Sequence, residues 1–381
     1  MRNPRPIHLA LAAVLVLSIA ACGDDDASDV AADTAAEAGT ESTADASEGS
    51  VAEGTTEPDA SSDSSAPGGG AAADESAFPV TIEHVYGTTT IEERPENVAT
   101  VAWANHEVPL ALGVVPVGMS KATWGDDDND GVLPWVEDQL AALGAATPVL
   151  FDETDGIDFE AVADTDPDVI LASYSGITQE EYDTLSSIAP TIAYPEVAWG
   201  TSMNDMIRMN SAALGLSDEG DVLIDELDGE IAAALDANPA LEGKRILFAF
   251  IDPTNLSEVG FYTSHDTRPG FLESLGLPTP AIVEEESAAT SDFYVTVSSE
   301  VADRFADVDL IVTYGETDGA IIDQVRADPL LSKIPAVAAD SIAILANSTP
   351  LAASANPSPL SIGWGIEDYF ALLASGLQPT G

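Results

Sequence analysis

Two stretches of the sequence, about 140 residues apart, share one pattern. In residues 156–172, GIDFEAVADTDPDVILA, Glu160 lies in a short amphipathic turn, and an aspartate eight residues later opens an unbroken apolar run. Residues 298–313, SSEVADRFADVDLIVT, repeat the order with Glu300, an aspartate nine residues later and a second apolar run. Apolar runs this short are typical of strands buried on both faces of a parallel sheet. The repeated order predicts two similar α/β lobes.

The rest of the chain also favours an α/β fold. From residue 97 onward, short apolar strands alternate with helices, as they do in parallel sheets. The alternation stops for about fifty residues, where helices are predicted at 203–214 and 218–235. Apolar residues recur on one face of the second helix, which we interpret as a rigid connection between the two halves. Strands then resume at 244–251, and a later strand is predicted around Ile282.

The N-terminus has the features of a bacterial lipoprotein leader. Arg2 and Arg5 form a basic segment, residues 9–19 form an apolar segment too short to span a bilayer, and IAAC at 19–22 fits a lipobox. We predict a signal peptide over residues 1–21 and lipidation of Cys22. The alternative is an ordinary signal peptide with an incidental cysteine. Because Cys22 is the only cysteine, a disulfide within one chain is excluded.

Acidic residues dominate the mature chain. Residues 23–77 contain no Lys or Arg and too little apolar surface to offset chain entropy, so residues 22–77 are predicted to be a disordered acidic tether that starts at the lipidated cysteine. This tether holds 15 of the 67 acids and the signal peptide two of the 11 bases, so the other 304 residues carry 52 acids against nine bases. Such a surface repels nucleic acid and anionic lipid and suits a saline habitat. We expect membrane contact only through the lipid.

Six phrases run through the folded part in a fixed order. They are LALGVVPVGM (110–119), IDFEAVADTDPDVILASYSGIT (157–178), LSSIAPTIAYP (185–195), DTRPGFLESLGL (266–277), VSSE (297–300) and DPLLSKIPAVAADSIAIL (328–345). Because these phrases occur in this order and follow a lipobox, the chain resembles the substrate-binding lipoproteins of bacterial ABC importers for iron siderophores, haem and cobalamin. The resemblance implies an α/β fold of two Rossmann-like lobes with parallel sheets, joined by one long helix, with a ligand cleft between the lobes.

The resemblance also implies domain limits, partners and function. The N-terminal lobe would span residues 78–217, the connecting helix 218–240 and the C-terminal lobe 241–381. The protein would be a monomer without cofactor or enzymatic activity that captures a ferric siderophore and delivers it to an ABC permease. In this family, glutamates at the positions of Glu160 and Glu300 pair with arginines of the permease, and two charges on a rigid body would also set its orientation.

The ligand cleft is predicted at the carboxyl ends of the strands, where open α/β lobes bind ligands. The loops there are rich in Trp and Tyr, which suit a bulky chelate, although aromatic residues also build lobe cores. Lys121 and Arg268 are the two basic residues on these loops, and we expect them to attract an anionic ferric siderophore. Arg268 also matches a position where the family often places a ligand-binding arginine. The predicted ligand-binding residues are Trp103, Lys121, Trp124, Tyr174, Trp199, Arg268 and Tyr314.

An acidic loop at residues 126–137 matches the EF-hand calcium pattern. The predicted cation ligands are Asp126, Asp128, Asp130 and Glu137. Against a calcium site, no helix is predicted to enter the loop, and Pro134 is unusual there. A solvated acidic loop is the alternative.

Two other functions stay open at this point. If His106 and His265 faced each other across the cleft, they could ligate haem iron, with a tyrosine as the other possible ligand, so haem or cobalamin is the alternative cargo. An extracytoplasmic hydrolase is a more distant alternative. The sequence contains no Gly-rich phosphate loop and no nucleophile elbow that would support it.

Overall fold

The computed structural model describes residues 75–317 and 319–377, which all belong to one compact unit that spans residues 65–381. The predicted signal peptide, the lipidation site Cys22 and the tether up to residue 74 lie outside the described residues. Within the described part of the chain, no helix is both long and apolar enough to cross a membrane.

The N-terminal lobe is a five-stranded parallel sheet preceded by a β-hairpin. The hairpin pairs β1 (Val80–His84) with β2 (Gly87–Ile91). The sheet contains β3 (Val98–Thr100), β4 (Gly118–Ser120), β5 (Val149–Phe151), β6 (Val169–Leu171) and β7 (Thr191–Ile192), in the order β5-β4-β3-β6-β7. Its helices are α1 (Glu107–Ala111), α2 (Pro134–Leu143), α3 (Phe159–Asp164) and α4 (Gln179–Ile188).

Two consecutive helices without a strand follow this lobe, α5 (Met203–Ala213) and α6 (Ser217–Asp236). Along α6, Ile224, Leu227, Ile231 and Ala234 are buried at helical spacing. They pack into the same apolar cluster as the inner face of the second sheet, so the long helix is anchored along one side.

The C-terminal lobe is a mixed five-stranded sheet with helices around it. Its strands are β8 (Ile246–Phe250), β9 (Glu258–Tyr262), β10 (Tyr294–Ser298), β11 (Leu310–Gly315) and β12 (Ile342–Ala346), in the order β10-β9-β8-β11-β12. The helices are α7 (Thr267–Ser274), α8 (Ala281–Ser287), α9 (Ala320–Ala327), α10 (Pro335–Ala338), α11 (Pro350–Ser354) and α12 (Pro359–Gly376). Short 3-10 helices lie at Pro239–Leu241, Ser299–Phe305 and Leu331–Lys333.

The prediction of two α/β lobes is confirmed, with two local corrections in the second lobe. The strand predicted around Ile282 is wrong, because Ile282 lies in α8 and is buried there as part of a two-residue apolar pair followed by three glutamates. The sheet is also not wholly parallel. β9 runs antiparallel to β8, and β10 antiparallel to β9, so two of its strands form an antiparallel edge.

The repeated pattern occupies the same place in both sheets. β6 and β11 are each fourth in strand order, and each pairs in parallel with the first strand of its lobe. The aspartate before each strand also has the same contact. Asp168 accepts hydrogen bonds from the backbone N–H groups of Glu96 and Asn97, and Asp309 accepts one from the N–H of Arg245. Each aspartate thus holds the start of the neighbouring strand.

Helix α12 contacts both lobes. Its first turn supplies the backbone N–H of Leu360 to the carboxylate of Glu107, which also accepts a hydrogen bond from Trp135 Nε1 at 2.8 Å. Further along α12, the ring of Trp364 lies 5.2 Å from that of Trp135. Burial raises the pKa of Glu107 to about 6, against the lowering effect of its hydrogen bonds.

Candidate functional site

Loops at the carboxyl ends of strands bring the predicted ligand-binding residues of both lobes together. Trp103 follows β3, Trp124 follows β4, and Tyr314 lies near the end of β11. The rings of Trp124 and Tyr314 meet edge to face with their centroids 5.3 Å apart, although they belong to different lobes. We call the surface formed by Trp103, Trp124, Trp199, Tyr262, Arg268 and Tyr314 the aromatic cleft.

Arg268 is held in the aromatic cleft by a two-pronged ion pair with Asp266. Its Nε and one terminal nitrogen each lie 2.8 Å from a carboxylate oxygen of Asp266, whose side chain is 1% exposed, whereas that of Arg268 is 16% exposed. Asp266 is also the N-cap of α7 and accepts the backbone N–H of Arg268. Although burial lowers the pKa of Arg268, its hydrogen bond to Asp266 raises that pKa well above the usual value. The guanidinium is therefore a permanent, positioned hydrogen-bond donor.

Aromatic rings surround this guanidinium. It lies 3.8 Å from the ring centre of Tyr262, a cation–π distance, and one of its nitrogens is 3.4 Å from the hydroxyl of Tyr314. Burial raises the pKa of Tyr314 to about 12, so this phenol stays neutral. Sequence reasoning missed Tyr262. Val259, Phe261 and Tyr262 are residue types favoured in strands, and this composition is the signal that could have located Tyr262 on a strand.

Trp199 is held by an unusual backbone. Its φ is 61°, its N–H donates to the carbonyl of Ser175, and a Cβ at Gly176 would overlap its ring. Among the described residues, seven non-glycine residues have positive φ, and five of them lie on loops after strands of the two sheets: Ala102, Ala104, Asn129, Trp199 and Ser348. Strained backbone of this kind concentrates at functional sites. The position of these positive-φ residues supports the assignment of the loops to a binding site.

Tyr174 lies behind the aromatic cleft and not on its surface. The side chain is 5% exposed, and its ring packs edge to face on Trp199 at 5.5 Å. Its hydroxyl lies 3.1 Å from Thr267 Oγ1 and accepts a hydrogen bond from Asn356 Nδ2 at 2.9 Å. Both partners belong to the C-terminal lobe. The arrangement supports a role for Tyr174 in joining the lobes behind the aromatic cleft.

Lys121 and Glu153 lie on the loops that follow β4 and β5, next to each other in the sheet. Lys121 Nζ lies 3.8 Å from Asp152, and both side chains are well exposed. Glu153 accepts hydrogen bonds from the N–H of Ala102, at 3.0 Å, and from Ser120 Oγ, at 3.1 Å. Those two donors directly precede Trp103 and Lys121 in the chain, so one carboxylate positions both. Burial raises the pKa of Glu153 to about 7, against the lowering effect of these bonds.

Asn105 holds together the two loops that follow β3 and β6. This buried amide donates to the carbonyls of Val101 and Tyr174, and its oxygen accepts from the N–H of Tyr174 and from Ser173 Oγ. The loop that carries Trp103 is thereby tied to the loop behind Trp199. A lone Asn in a loop has no sequence signature for this role, because it depends on contacts with residues about seventy positions away.

The predicted cation loop has compact geometry. One carboxylate oxygen each from Asp126, Asp128 and Asp130 lies within 4.8 Å of the others. Asp126 also accepts the backbone N–H of Gly131 at 2.7 Å, which bends the loop around these oxygens. Burial, followed by the charges of Asp130 and Asp128, raises the pKa of Glu137. Calcium binding stays a prediction.

The two histidines considered for haem lie in different places. His106 is buried, lines a small cavity beside Trp103, and has its pKa lowered to about 4 by burial. Nε2 of His265 lies 3.0 Å from the carbonyl oxygen of Ser287 and 2.9 Å from that of Thr290. The two rings line different cavities, and haem binding stays a prediction.

The predicted docking glutamates are both exposed in the first turn of a helix. Glu160 lies in α3, whose N-cap Asp158 accepts the N–H of Ala161. Glu300 lies in the 3-10 helix, and its own N–H donates to Ser298 Oγ. Their local settings therefore match, one in each lobe.

Comparison with known proteins matches residues 98–349 to the family described as periplasmic binding protein. Among solved structures, PiaA of Streptococcus pneumoniae TIGR4 in complex with ferrichrome is 44% identical, with a TM-score of 0.74. The match covers 78% of this chain and 98% of that structure.

Two curated relatives match over shorter stretches. The probable siderophore-binding lipoprotein YfiY of Bacillus subtilis (strain 168) is 27% identical over 40% of this chain and 43% of its own length. The Fe(3+) dicitrate-binding periplasmic protein FecB of Escherichia coli (strain K12) is 26% identical over 54% of this chain and 64% of its own length. The chain thus spans less than two thirds of either curated relative.

Proposed function

The chain belongs to the periplasmic binding protein family, and on that premise we propose that it captures a ferric siderophore outside the cytoplasm and delivers it to an ABC importer. The observation that carries the proposal is the aromatic cleft, in which Trp124, Tyr314 and Arg268 converge from two lobes. Its strongest outside support is the 44% identity with PiaA, whose structure holds ferrichrome. This family binds solutes and is not a class of enzymes.

The cleft suits a bulky, rigid chelate. Flat aromatic walls bury a large area at little cost in side-chain entropy, and a positioned guanidinium supplies directional hydrogen bonds. We assign direct ligand contact to Trp103, Lys121, Trp124, Trp199, Arg268 and Tyr314, with Tyr262 added from the geometry. Tyr174 is assigned to the support behind them, because its hydroxyl is already bonded to Thr267 and Asn356.

Intrinsic fluorescence tests this function. Three of the five tryptophans, Trp103, Trp124 and Trp199, lie at the cleft, so a bound ferric chelate should quench them. The titration should include hydroxamate, catecholate and carboxylate chelates. Trp199→Phe should lose part of the quenching, while Trp135→Phe, on the α2–α12 contact, serves as the control. A fluorescence signal that no chelate class changes would refute siderophore capture.

Docking to the permease is assigned to Glu160 and Glu300. Reversal of both charges to Arg should abolish siderophore uptake by cells and leave the affinity for the chelate within about twofold, because rim charges act on the partner and not on the cleft. A matched control reverses Glu180 and Glu242, which are also exposed, one in each half of the chain. Loss of chelate affinity in the first pair, or loss of uptake in the control pair, contradicts the assignment.

The anchor is assigned to Cys22, followed by the acidic tether, with the protein acting as a monomer. Lipidation would keep a released binding domain close to its permease. Cys22→Ala should move the protein from the membrane fraction to the medium or periplasm, and the membrane-extracted wild type should carry the mass of a lipid at its N-terminus. Membrane retention of Cys22→Ala would rule out this anchor.

A further inference from the structure

The side chain of Glu153 joins two loops of the aromatic cleft. Its Oε1 lies 3.2 Å and its Oε2 3.0 Å from the backbone nitrogen of Ala102, and Oε2 also accepts the hydroxyl of Ser120 at 3.1 Å. Ala102 and Ser120 directly precede Trp103 and Lys121, to which we assign ligand contact. The carboxylate is only half-buried, so a chelate bound on these two residues would close part of its remaining contact with water.

The negative charge of Glu153 has no cation to balance it. Within the described part of the chain Glu153 forms no ion pair, and the ammonium of the nearby Lys121 lies 3.8 Å from Asp152 instead. Burial acts on the pKa of Glu153 more strongly than its two hydrogen bonds do, so the pKa rises to about 7. An unpaired carboxylate in this state responds to a further loss of water by taking up a proton.

Other titratable groups lie on the loops around Glu153. His106, after β3, has its pKa lowered to about 4 by burial and is therefore neutral above about pH 5. Hydrogen bonds from Thr154 lower the pKa of Asp152, which therefore stays ionised beside Lys121. Of these two carboxyls and the imidazole, the group that changes charge between about pH 5.5 and 9 is Glu153.

The protonated form of Glu153 fits the same geometry. The hydroxyl of Ser120 donates to Oε2, and a hydroxyl can turn and accept instead. A proton from solvent would add to Oε2, and the new O–H would donate to Oγ of Ser120, while Oε1 keeps the N–H of Ala102. Protonation therefore preserves the link between the two loops and removes its charge.

From this arrangement, we propose that capture of the chelate is coupled to uptake of a proton by Glu153, so that the aromatic cleft binds its ligand more tightly at acidic than at alkaline pH. A bound chelate could also tighten the two hydrogen bonds, which would favour the ionised form. That effect is the smaller one, because burial already outweighs those bonds in the free protein. The inference rests on the proposed capture of a ferric siderophore and adds a proton to that step.

Proton linkage gives the expected size of the coupling. We expect a dissociation constant about tenfold lower at pH 5.5 than at pH 9, because the chelate binds the protonated form of Glu153 better. Uptake should be about 0.5 proton per chelate near pH 7.5. It should fall to about zero at pH 5.5, since Glu153, with a pKa of about 7, is already protonated there in the free protein.

Titration calorimetry in two buffers of different ionisation enthalpy counts these protons. Ferrichrome, the chelate in the PiaA structure, serves as the probe, because its hydroxamates are bound to iron and do not titrate in this range. Glu153→Gln is neutral at every pH, so it should take up no proton and hold one affinity from about pH 5.5 to 9. Glu180→Gln, an exposed glutamate on α4, should keep the proton uptake of the wild type.

The wild-type measurement decides the question even without a folded variant. Ferrichrome binding at pH 7.5 without proton uptake, or an affinity that rises with pH, overturns the inference. Uptake that persists in Glu153→Gln assigns the proton to another group and overturns it as well. These outcomes leave siderophore capture intact, whereas ferrichrome that fails to bind at any pH overturns this inference together with the proposed function.

Discussion

Glu153 is a carboxylate that the fold holds beneath one wall of the aromatic cleft. It accepts the N–H of Ala102 and the hydroxyl of Ser120, so the loops that carry Trp103 and Lys121 share one acceptor. Burial disfavours the ionised form of Glu153, so its pKa rises to about 7. The titration of Glu153 should therefore make the free energy of unfolding depend on pH.

The sign of that dependence follows from proton binding. In the unfolded chain, Glu153 titrates near the ordinary pKa of 4.5, so between about pH 4.5 and 7 the folded state holds more protons. The stabilising effect of the protonated form is complete below about pH 4.5. It is lost as the pH rises through 7, and the free energy of unfolding falls by about 3 kcal/mol over this window.

Glu153→Gln should remove this pH-dependent loss of stability. The amide is neutral at all pH values and keeps an oxygen for the N–H of Ala102, so the variant should gain about 3 kcal/mol relative to wild type between pH 4.5 and 8. Urea unfolding of both proteins at several pH values measures the difference. Glu180→Gln, an exposed glutamate in α4, serves as the control. A stability difference between Glu153→Gln and wild type that does not change with pH would contradict the assignment.

Sequence reasoning singled out Arg268 and passed over Glu153 for one physical reason. Basic residues are scarce, so a base on a cleft loop carries information, whereas one glutamate among 52 acids in the folded part carries none. The role of Glu153 depends on the closeness of residues 102, 120 and 153 in space. Tyr174 was predicted to contact the ligand, whereas its hydroxyl is bonded to Thr267 and Asn356, which lie more than ninety positions away in the sequence.

At the scale of elements, β4 depends on the absence of a side chain at its first residue. A Cβ at Gly118 would overlap the ring of Phe151, which is fully buried on the neighbouring strand β5. Because interiors are close-packed, the ring has no space to retreat into. The same strand ends at Ser120, so the packing of Phe151 bears on the position of Lys121.

Gly118→Ala should lower the free energy of unfolding by about 1–3 kcal/mol, the usual effect of overpacking a core. Gly229→Ala is the matched control, since it lies inside α6 with no atom near its added methyl. That change should stabilise the protein by about 0.5–1 kcal/mol, because glycine is a poor residue for a helix interior. Equal effects of the two substitutions, measured by urea unfolding, would refute the packing argument.

Elements with strong patterns were predicted well, and those that depend on pairing were not. The buried runs of β6 and β11 are apolar throughout, and α2 ends at Gly144 in the left-handed conformation that glycine favours. The strands β9 and β10 alternate weakly and gain their stability from each other. Close contact also requires Gly260, since any Cβ there would overlap the phenol of Tyr294. The apolar pair Ile282-Val283 is too short to distinguish a helix from a strand by its sequence pattern.

At the scale of the whole molecule, the hydroxyl of Tyr174 links the lobes. Tyr174→Phe should cost about 1–2 kcal/mol of unfolding free energy, because it removes bonds to Thr267 and Asn356 at a buried site. Amide exchange should accelerate in the loop after β6 and around residue 356. Tyr182→Phe, whose hydroxyl lies 3.2 Å from Thr89 within one lobe, should not accelerate exchange at residue 356. Identical exchange patterns in the two variants would contradict a link between lobes.

The excess of acidic residues also acts on the whole molecule. With 52 acids against nine bases in the folded part, repulsion opposes the compact state, and salt screens repulsion. The unfolding temperature at pH 8 should rise by at least a few degrees between about 20 and 500 mM NaCl. The rise should shrink near pH 4, where many carboxylates are neutral. A lower unfolding temperature in high salt at pH 8 would show that attractive ion pairs dominate instead.

Helix α12 is synthesised late, yet residues of the first lobe pack against it. Glu107 belongs to the first lobe, yet its partner Leu360 lies 253 positions later in the chain, and Trp364, the partner of Trp135, lies 229 positions after it. During synthesis, the first lobe therefore waits with an incomplete core until nearly all of the described chain has been made. The packing between α12 and the first lobe is therefore completed late in synthesis. A chain whose packing is completed this late remains incompletely folded for most of its synthesis. A polypeptide passes through a translocation channel in such an unfolded state.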